Sequence, residues 1–182
     1  MKFEATSLPG AFIITPERLH DERGWFARTW CRRDFEAHGL NPAVAQCNIS
    51  YSARRGTLRG MHYQRPPHAE TKLIRCTAGG IYDVIIDLRR GSSTYLRHFG
   101  IRLDPSEDRM LYVPEGFAHG FLTLEDGTSV FYQMSQSYEP SAAAGVRWND
   151  PAFGIDWPPG ERIISQRDQS YPDFEPGRRA GA

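Results

Sequence analysis

Residues 59–64 read RGMHYQ and residues 112–121 read YVPEGFAHGF. Each segment offers one histidine, His62 and His119, and the two look like halves of one site in an all-β barrel. A metal-binding version of such a site would be expected to have a second histidine two residues after the first. This chain has Gln64 there, so few good ligands remain and no metal is expected. An imidazole left free of metal can carry protons near neutral pH. The chemistry that these residues point to is acid–base chemistry.

The elements that must position these residues read as strands. Short β-branched and aromatic runs, AFIITP, KLIRCTA, GIYDVIIDLR, LRHFGIRL, RMLYVP, HGFLTL and SVFYQMSQSY, are separated by GG, RGSS, DPSED and EDGT. That spacing predicts a sandwich or barrel. Side chains alternate along a strand, so in IYDVIIDL the residues Tyr82, Val84, Ile86 and Leu88 share one face and Ile81, Asp83, Ile85 and Asp87 the other. Asp83 is therefore expected to point into an enclosed space. The same alternation groups Val130, Tyr132 and Met134. One helix is predicted within residues 31–40, stopped by Gly39. The stretch NDPAFGIDWPP at 149–159 is too rich in Pro and Gly for a regular element, so the last third is expected to wrap the barrel as loops and short helices.

At 182 residues the chain suits one domain, 1–182, with a frayed tail at 175–182. Lys plus Arg and Asp plus Glu balance at 22 each, so no global field draws nucleic acid or an anionic membrane, and any anion site must be local. Cys31, Cys47 and Cys76 lack CxxC spacing and no charged-then-apolar leader opens the sequence, which fits a reduced, cytoplasmic protein. The longest apolar run is interrupted by Asp83 and Asp87, so no membrane span is expected.

The two histidine segments resemble the paired motifs of the cupin superfamily, with Pro114, Gly116 and His119 preserving the second in outline. The blocks at 46–64, 71–75, 82–95, 112–124 and 138–158, framed by DERGWF at 21–26 and SQRDQ at 165–169, narrow the match. In that order they resemble the dTDP-4-dehydrorhamnose 3,5-epimerase family over nearly the whole chain. The resemblance implies an all-β, cupin-type jelly-roll barrel with a few short helices. It also implies an isomerase that needs no cofactor. Protons leave the carbons beside the 4-keto group of a nucleotide-linked 6-deoxyhexulose and return on the opposite face, at C5 and C3, while the ketone holds the charge as an enolate.

Residue by residue, the resemblance makes His62 the base and Asp168 the carboxylate that holds its imidazole. Tyr132 becomes the proton donor on the other face, and Lys72 the cation near the developing oxyanion. Arg23 and Arg59 match phosphate-binding positions, where guanidinium forks suit phosphate oxygens. Gln46, Asn48, His119 and Tyr138 match further substrate contacts, and Phe26 an aromatic near the nucleotide. Without the resemblance, a bonded core histidine, a buried tyrosine and an exposed strand lysine fit the same residues. A homodimer is implied as well, with the N-terminal strand region and DERGWF reaching a neighbouring barrel.

Two positions depart from the family pattern. Arg28 stands where an acidic residue is expected two after Phe26, and Ala143 where a glutamate is expected after Tyr138. Both belong to segments associated with the nucleotide end, so a relative acting on another nucleotide, such as a CDP-linked sugar, or on one carbon only, stays open. A 3,4-ketoisomerase, a catalytically dead sugar-nucleotide binder and a metal cupin dioxygenase are the more distant alternatives.

Overall fold

The computed structural model describes residues 1–175, so the tail expected to fray lies outside the described residues beyond Glu175. The elements run β1 Lys2–Ala5, β2 Phe12–Thr15, β3 Arg18–Asp21, β4 Gly24–Ala27, α1 Arg32–Ala37, β5 Gln46–Ser52, β6 Thr57–Gln64 and β7 Lys72–Ala78. They continue with β8 Ile81–Asp87, β9 His98–Leu103, β10 Met110–Val113, β11 Phe117–Thr123, β12 Thr128–Met134, β13 Ala143–Gly145, β14 Ile163–Ile164 and α2 Gln166–Gln169. One sheet has the order β1-β2-β10-β7-β12-β5 and the other β13-β6-β11-β8-β9, with β14 pairing β6 in parallel. The two sheets face each other as the cupin-type jelly roll expected from the motifs. β3 and β4 form a separate two-stranded hairpin.

Alternation decides what each strand sends inward. Ile81 and Ile85 of β8 join Ile74, Cys76, Leu103, Leu111, Phe121 and Val130 between the sheets. Val84 and Ile86, on the other face, pack with Met61, Ala118, Val146 and Phe153 beneath the irregular C-terminal third. Every residue of β11 is buried, because the wrap covers its outer face while the barrel covers its inner one. The predicted helix forms over Arg32–Ala37, with Gly39 at φ +69 just past its end, and Phe35 seats it on the outer face of the first sheet with Ile14, Leu73 and Met110. The 149–159 stretch holds no strand or helix, as its Pro and Gly content predicts.

Strands β3, β4 and β5 were not legible as strands. All four residues of β3 and the first three of β4 are exposed, so the hairpin has no buried face to impose an alternating pattern. In β5 the alternation is inverted: Cys47, Ile49 and Tyr51 lie outside and exposed while Gln46, Asn48 and Ser50 turn inward. The space they line is polar, and the reason is the site itself.

Among the described residues, no helix is long and apolar enough to cross a membrane.

Candidate active site

Strand β6 carries the first functional side chains, and it needs a register shift to present them. Opposite β11, His62 pairs with His119 but Arg59 pairs with Phe121, so three steps along β6 match two along β11. Strict alternation would send Arg59 and His62 to opposite faces, since their spacing is odd. The extra residue, accommodated as a β-bulge, turns both into the same cavity while Met61 goes outward into the core. The bulge is built on Gly60, at φ +123, face to face with Gly120. A Cβ on Gly60 would stand 2.5 Å from the Gly120 Cα.

The bulge also meets the carboxylate. Ile163 and Ile164 add in parallel to the start of β6, and Ser165 caps the single turn of α2 by accepting from the Asp168 N–H at 3.1 Å. This docks Asp168, 4% exposed, against the middle of β6. Its Oδ1 lies 2.7 Å from His62 Nε2 and its Oδ2 accepts from the Gly60 N–H at 3.2 Å. Burial works to raise the Asp168 pKa, but the hydrogen bond and charge of His62, then the Gly60 and Ser165 hydrogen bonds, outweigh it and hold the carboxyl below its ordinary value. An ionised Asp168 can only accept, so the proton on His62 sits on Nε2 and the lone pair on Nδ1.

Around this pair lies a cavity of about 540 Å³ lined by Arg59, His62, Lys72, His119, Tyr132 and Asp168, among others. A second lobe of about 380 Å³ shares His62, Lys72, Tyr132 and Arg167 with the first and adds Gln46, Asn48, Glu70, Tyr138 and Ala143. The Tyr132 ring rests on the barrel core and its hydroxyl makes no hydrogen bond to another described residue. Burial raises its pKa, partly countered by Arg59, so the phenol is a proton carrier at neutral pH. Lys72 is 7% exposed and its Nζ donates to the His62 carbonyl at 3.0 Å. His119 Nε2 lies 2.7 Å from Oδ1 of Asp83, which is fully buried, as alternation along β8 anticipated. Tyr138 donates its N–H to Gln46 Oε1 at 2.9 Å, tying the rim of the second lobe to β5.

The position where a metal cupin would place its second histidine is already committed to other bonds. Gln64 gives its amide N–H groups to the carbonyls of His68 and Ser137 at 2.9 and 3.2 Å, and its Oε1 accepts from the Glu139 N–H at 2.6 Å. It stitches two loops together where a metal cupin would place a ligand. His62 and His119 each hold a carboxylate through Nε2, and among the described residues no three His, Cys, Asp or Glu side chains are grouped to hold an ion.

Nine of the eleven residues singled out from the sequence thus meet around one divided cavity. Arg23 and Phe26 do not line it: Arg23 sits at the hairpin turn, 82% exposed and paired with Asp21, and Phe26 is 63% exposed on β4. Sequence reasoning passed over Glu70 and Arg167, neighbours of Lys72 and Asp168 in the chain. Both belong to segments without periodicity, so no pattern pointed their side chains inward.

A family model described as dTDP-4-dehydrorhamnose 3,5-epimerase matches residues 5–176. The dTDP-4-dehydrorhamnose 3,5-epimerase of Methanothermobacter thermautotrophicus is 44% identical over 173 residues, covering 93% of this chain and 92% of the relative. The dTDP-4-dehydrorhamnose 3-epimerase of Streptomyces niveus is 38% identical over 100% of this chain and 87% of its own. A crystal structure of the Bacillus anthracis dTDP-4-dehydrorhamnose 3,5-epimerase with TDP and PPi bound matches with a TM-score of 0.91 at 40% identity, covering 95% of this chain and 99% of that one.

Proposed function

The chain belongs to the dTDP-4-dehydrorhamnose 3,5-epimerase family, and from that premise we propose how its divided cavity inverts C3 and C5 of dTDP-4-dehydro-6-deoxyglucose to give dTDP-4-dehydrorhamnose. One observation carries the reading: a carboxylate-held imidazole and an unbonded tyrosine hydroxyl open onto the same space, beside a buried lysine.

His62 Nδ1 takes a proton from the carbon next to the ketone. The C–H electron pair becomes the enolate, with its charge on the ketone oxygen, and Asp168 stabilises the imidazolium through Nε2–H. Lys72, itself 7% exposed, supplies the fixed positive partner for that oxygen. Tyr132 then gives its phenolic proton to the opposite face of the carbon; the His62 imidazolium releases its proton to solvent and the phenolate regains one, so both groups are restored for the second carbon. No external oxidant or cofactor enters this balance. Arg59 and Arg167 provide the local cations that a diphosphate needs in a chain of zero net charge.

Arg23 and Phe26 act in a second copy of the chain. The hairpin projects Leu19, Trp25 and Phe26, at 66, 49 and 63% exposure, while β5 leaves an open sheet edge with Ile49 and Tyr51 at 70 and 62%. Two copies would cover both surfaces and bring each hairpin to the other's nucleotide pocket. The chain works as one cupin domain, and its three free cysteines suit a reduced, cytoplasmic setting.

Incubation with dTDP-4-dehydro-6-deoxyglucose in deuterated water, followed by NMR, is the test. Deuterium at both C3 and C5 is expected. Deuterium at C3 alone would place the chain with the S. niveus 3-epimerase instead, and exchange at neither carbon would overturn the reading.

A further inference from the structure

The chain holds 22 Lys and Arg together, of which only Lys2 and Lys72 are lysines. Guanidinium stays charged in any protein environment, whereas the charge of an ammonium depends on what surrounds it. The one lysine inside the barrel therefore needs something to keep it charged. Burial drives the Lys72 pKa down, opposed first by Glu70 and then by Asp83. Glu70 is itself 7% exposed, with Oε1 3.2 Å from Lys72 Nζ and Oε2 buried without a hydrogen-bond partner among the described residues.

A half-satisfied buried carboxylate is costly, and a glutamine of the same shape would accept the same hydrogen bond. What glutamine lacks is charge. Of the three ammonium N–H groups, one is engaged by Glu70 and one by the His62 carbonyl, which leaves one for the cavity. We propose that Glu70 is a positioning residue: it holds the Lys72 ammonium charged and fixed to the strand of the base, with its third N–H left for the oxygen that becomes negative. This rests on the epimerase reading above. The other charged or titratable groups around Lys72 are Arg59, His62 and Tyr63 of β6, Asp83 of β8, His119 of β11, Tyr132 of β12, Tyr138 after it, and Arg167 and Asp168 of α2.

With two lysines, 13Cε-lysine NMR of the whole protein resolves the charge of Lys72 without substrate, Lys2 serving as internal control. In Glu70→Gln the Lys72 midpoint is expected to fall by about one pH unit or more while Lys2 stays in place. The alkaline limb of kcat should fall with it, so that above the limb the variant loses about ten-fold more kcat than at neutral pH, with KM within about three-fold of wild type. Glu70→Asp, which keeps the charge on a shorter arm, should retain the wild-type limb while losing kcat. An unmoved Lys72 midpoint in Glu70→Gln overturns the inference, as does an unmoved limb or a loss confined to KM. If the wild type exchanges neither C3 nor C5, the epimerase reading fails and the catalytic part of the inference with it, while the titration still reports separately on charge control.

Discussion

His62 Nε2 and Asp168 Oδ1 meet at 2.7 Å across 106 residues of chain. The second oxygen of the same carboxylate takes the Gly60 N–H at 3.2 Å. Bulge, imidazole and carboxylate are thus one unit: the distortion that turns both Arg59 and His62 inward also aims a backbone donor at the carboxylate that holds the imidazole.

Removing either partner should therefore act on the chemical step. His62→Ala is expected to abolish deuterium exchange and product together. Asp168→Asn is expected to cut kcat by roughly 10³–10⁴ with little change in KM, because an amide can donate to Nε2 and favour the wrong tautomer. Single-turnover assays with deuterium wash-in measure both, and turnover near wild type in either variant would refute the assignment.

Tyr132 is the proposed donor to the other face, and it lines both lobes of the cavity. Burial raises its pKa, so at neutral pH it is a donor. Tyr132→Phe should still let deuterium into the substrate pool while forming little epimer. A proportional loss of exchange and inversion would put Tyr132 in the first step or in a structural role.

Away from the cavity, Asp87 offers a stability prediction. Burial alone would raise its pKa, but hydrogen bonds from Arg89, Ser92 and Thr94 bring it down to about 2. A folded value below the unfolded one stabilises the fold above the unfolded pKa, and that share is lost as pH falls toward 2. Asp87→Asn should cost about 2 kcal/mol at pH 7 and progressively less below pH 4 by urea titration. A constant difference across that range would mean that the charge is not what the network holds.

The barrel was readable because its core strands are covered on at least one face: β8 and β12 alternate as a half-buried or buried strand must, and Asp83 was placed inside by that rule alone. The hairpin at 18–27 was not, since neither of its faces is buried and nothing sorts its residues. Strand β5 carries the reverse of the usual pattern because its inner face lines the polar cavity. Asp168 could be paired with His62 only by resemblance. Contacts over 106 residues leave no periodic trace, and the bulge that makes the pairing possible shows in the sequence only as a glycine.

The two departures from the family pattern fall in different places. Ala143 lines the second lobe beside Tyr138, Gln46 and Asn48, while Arg28 is exposed just beyond β4 and lines neither lobe. Arginine can donate to cytosine O2 and N3 but cannot accept from thymine N3–H. Because the family match spans residues 5–176, kcat/KM is expected to favour the dTDP-linked over the CDP-linked 4-keto sugar, and Arg28→Glu should leave that preference in place. A wild type that favours CDP, with Arg28→Glu moving it toward dTDP, would show that this side chain reads the base.

Arg23 and Phe26 give the sharpest test of assembly, because their own barrel is out of reach. If each hairpin completes its neighbour's nucleotide pocket, Arg23→Ala should raise KM by ~10-fold or more through loss of a charge-assisted phosphate contact, with kcat largely kept. His62→Ala disables the barrel but keeps an intact hairpin, whereas Arg23→Ala does the reverse. Mixing and re-equilibrating the two should then rebuild one good site in each mixed dimer, returning about a quarter of wild-type activity at low substrate from statistical exchange. Sedimentation should show a dimer throughout. Failure of the mixture to exceed the sum of its parts, or a fully active monomer that does not associate with concentration, would confine both residues to a surface role.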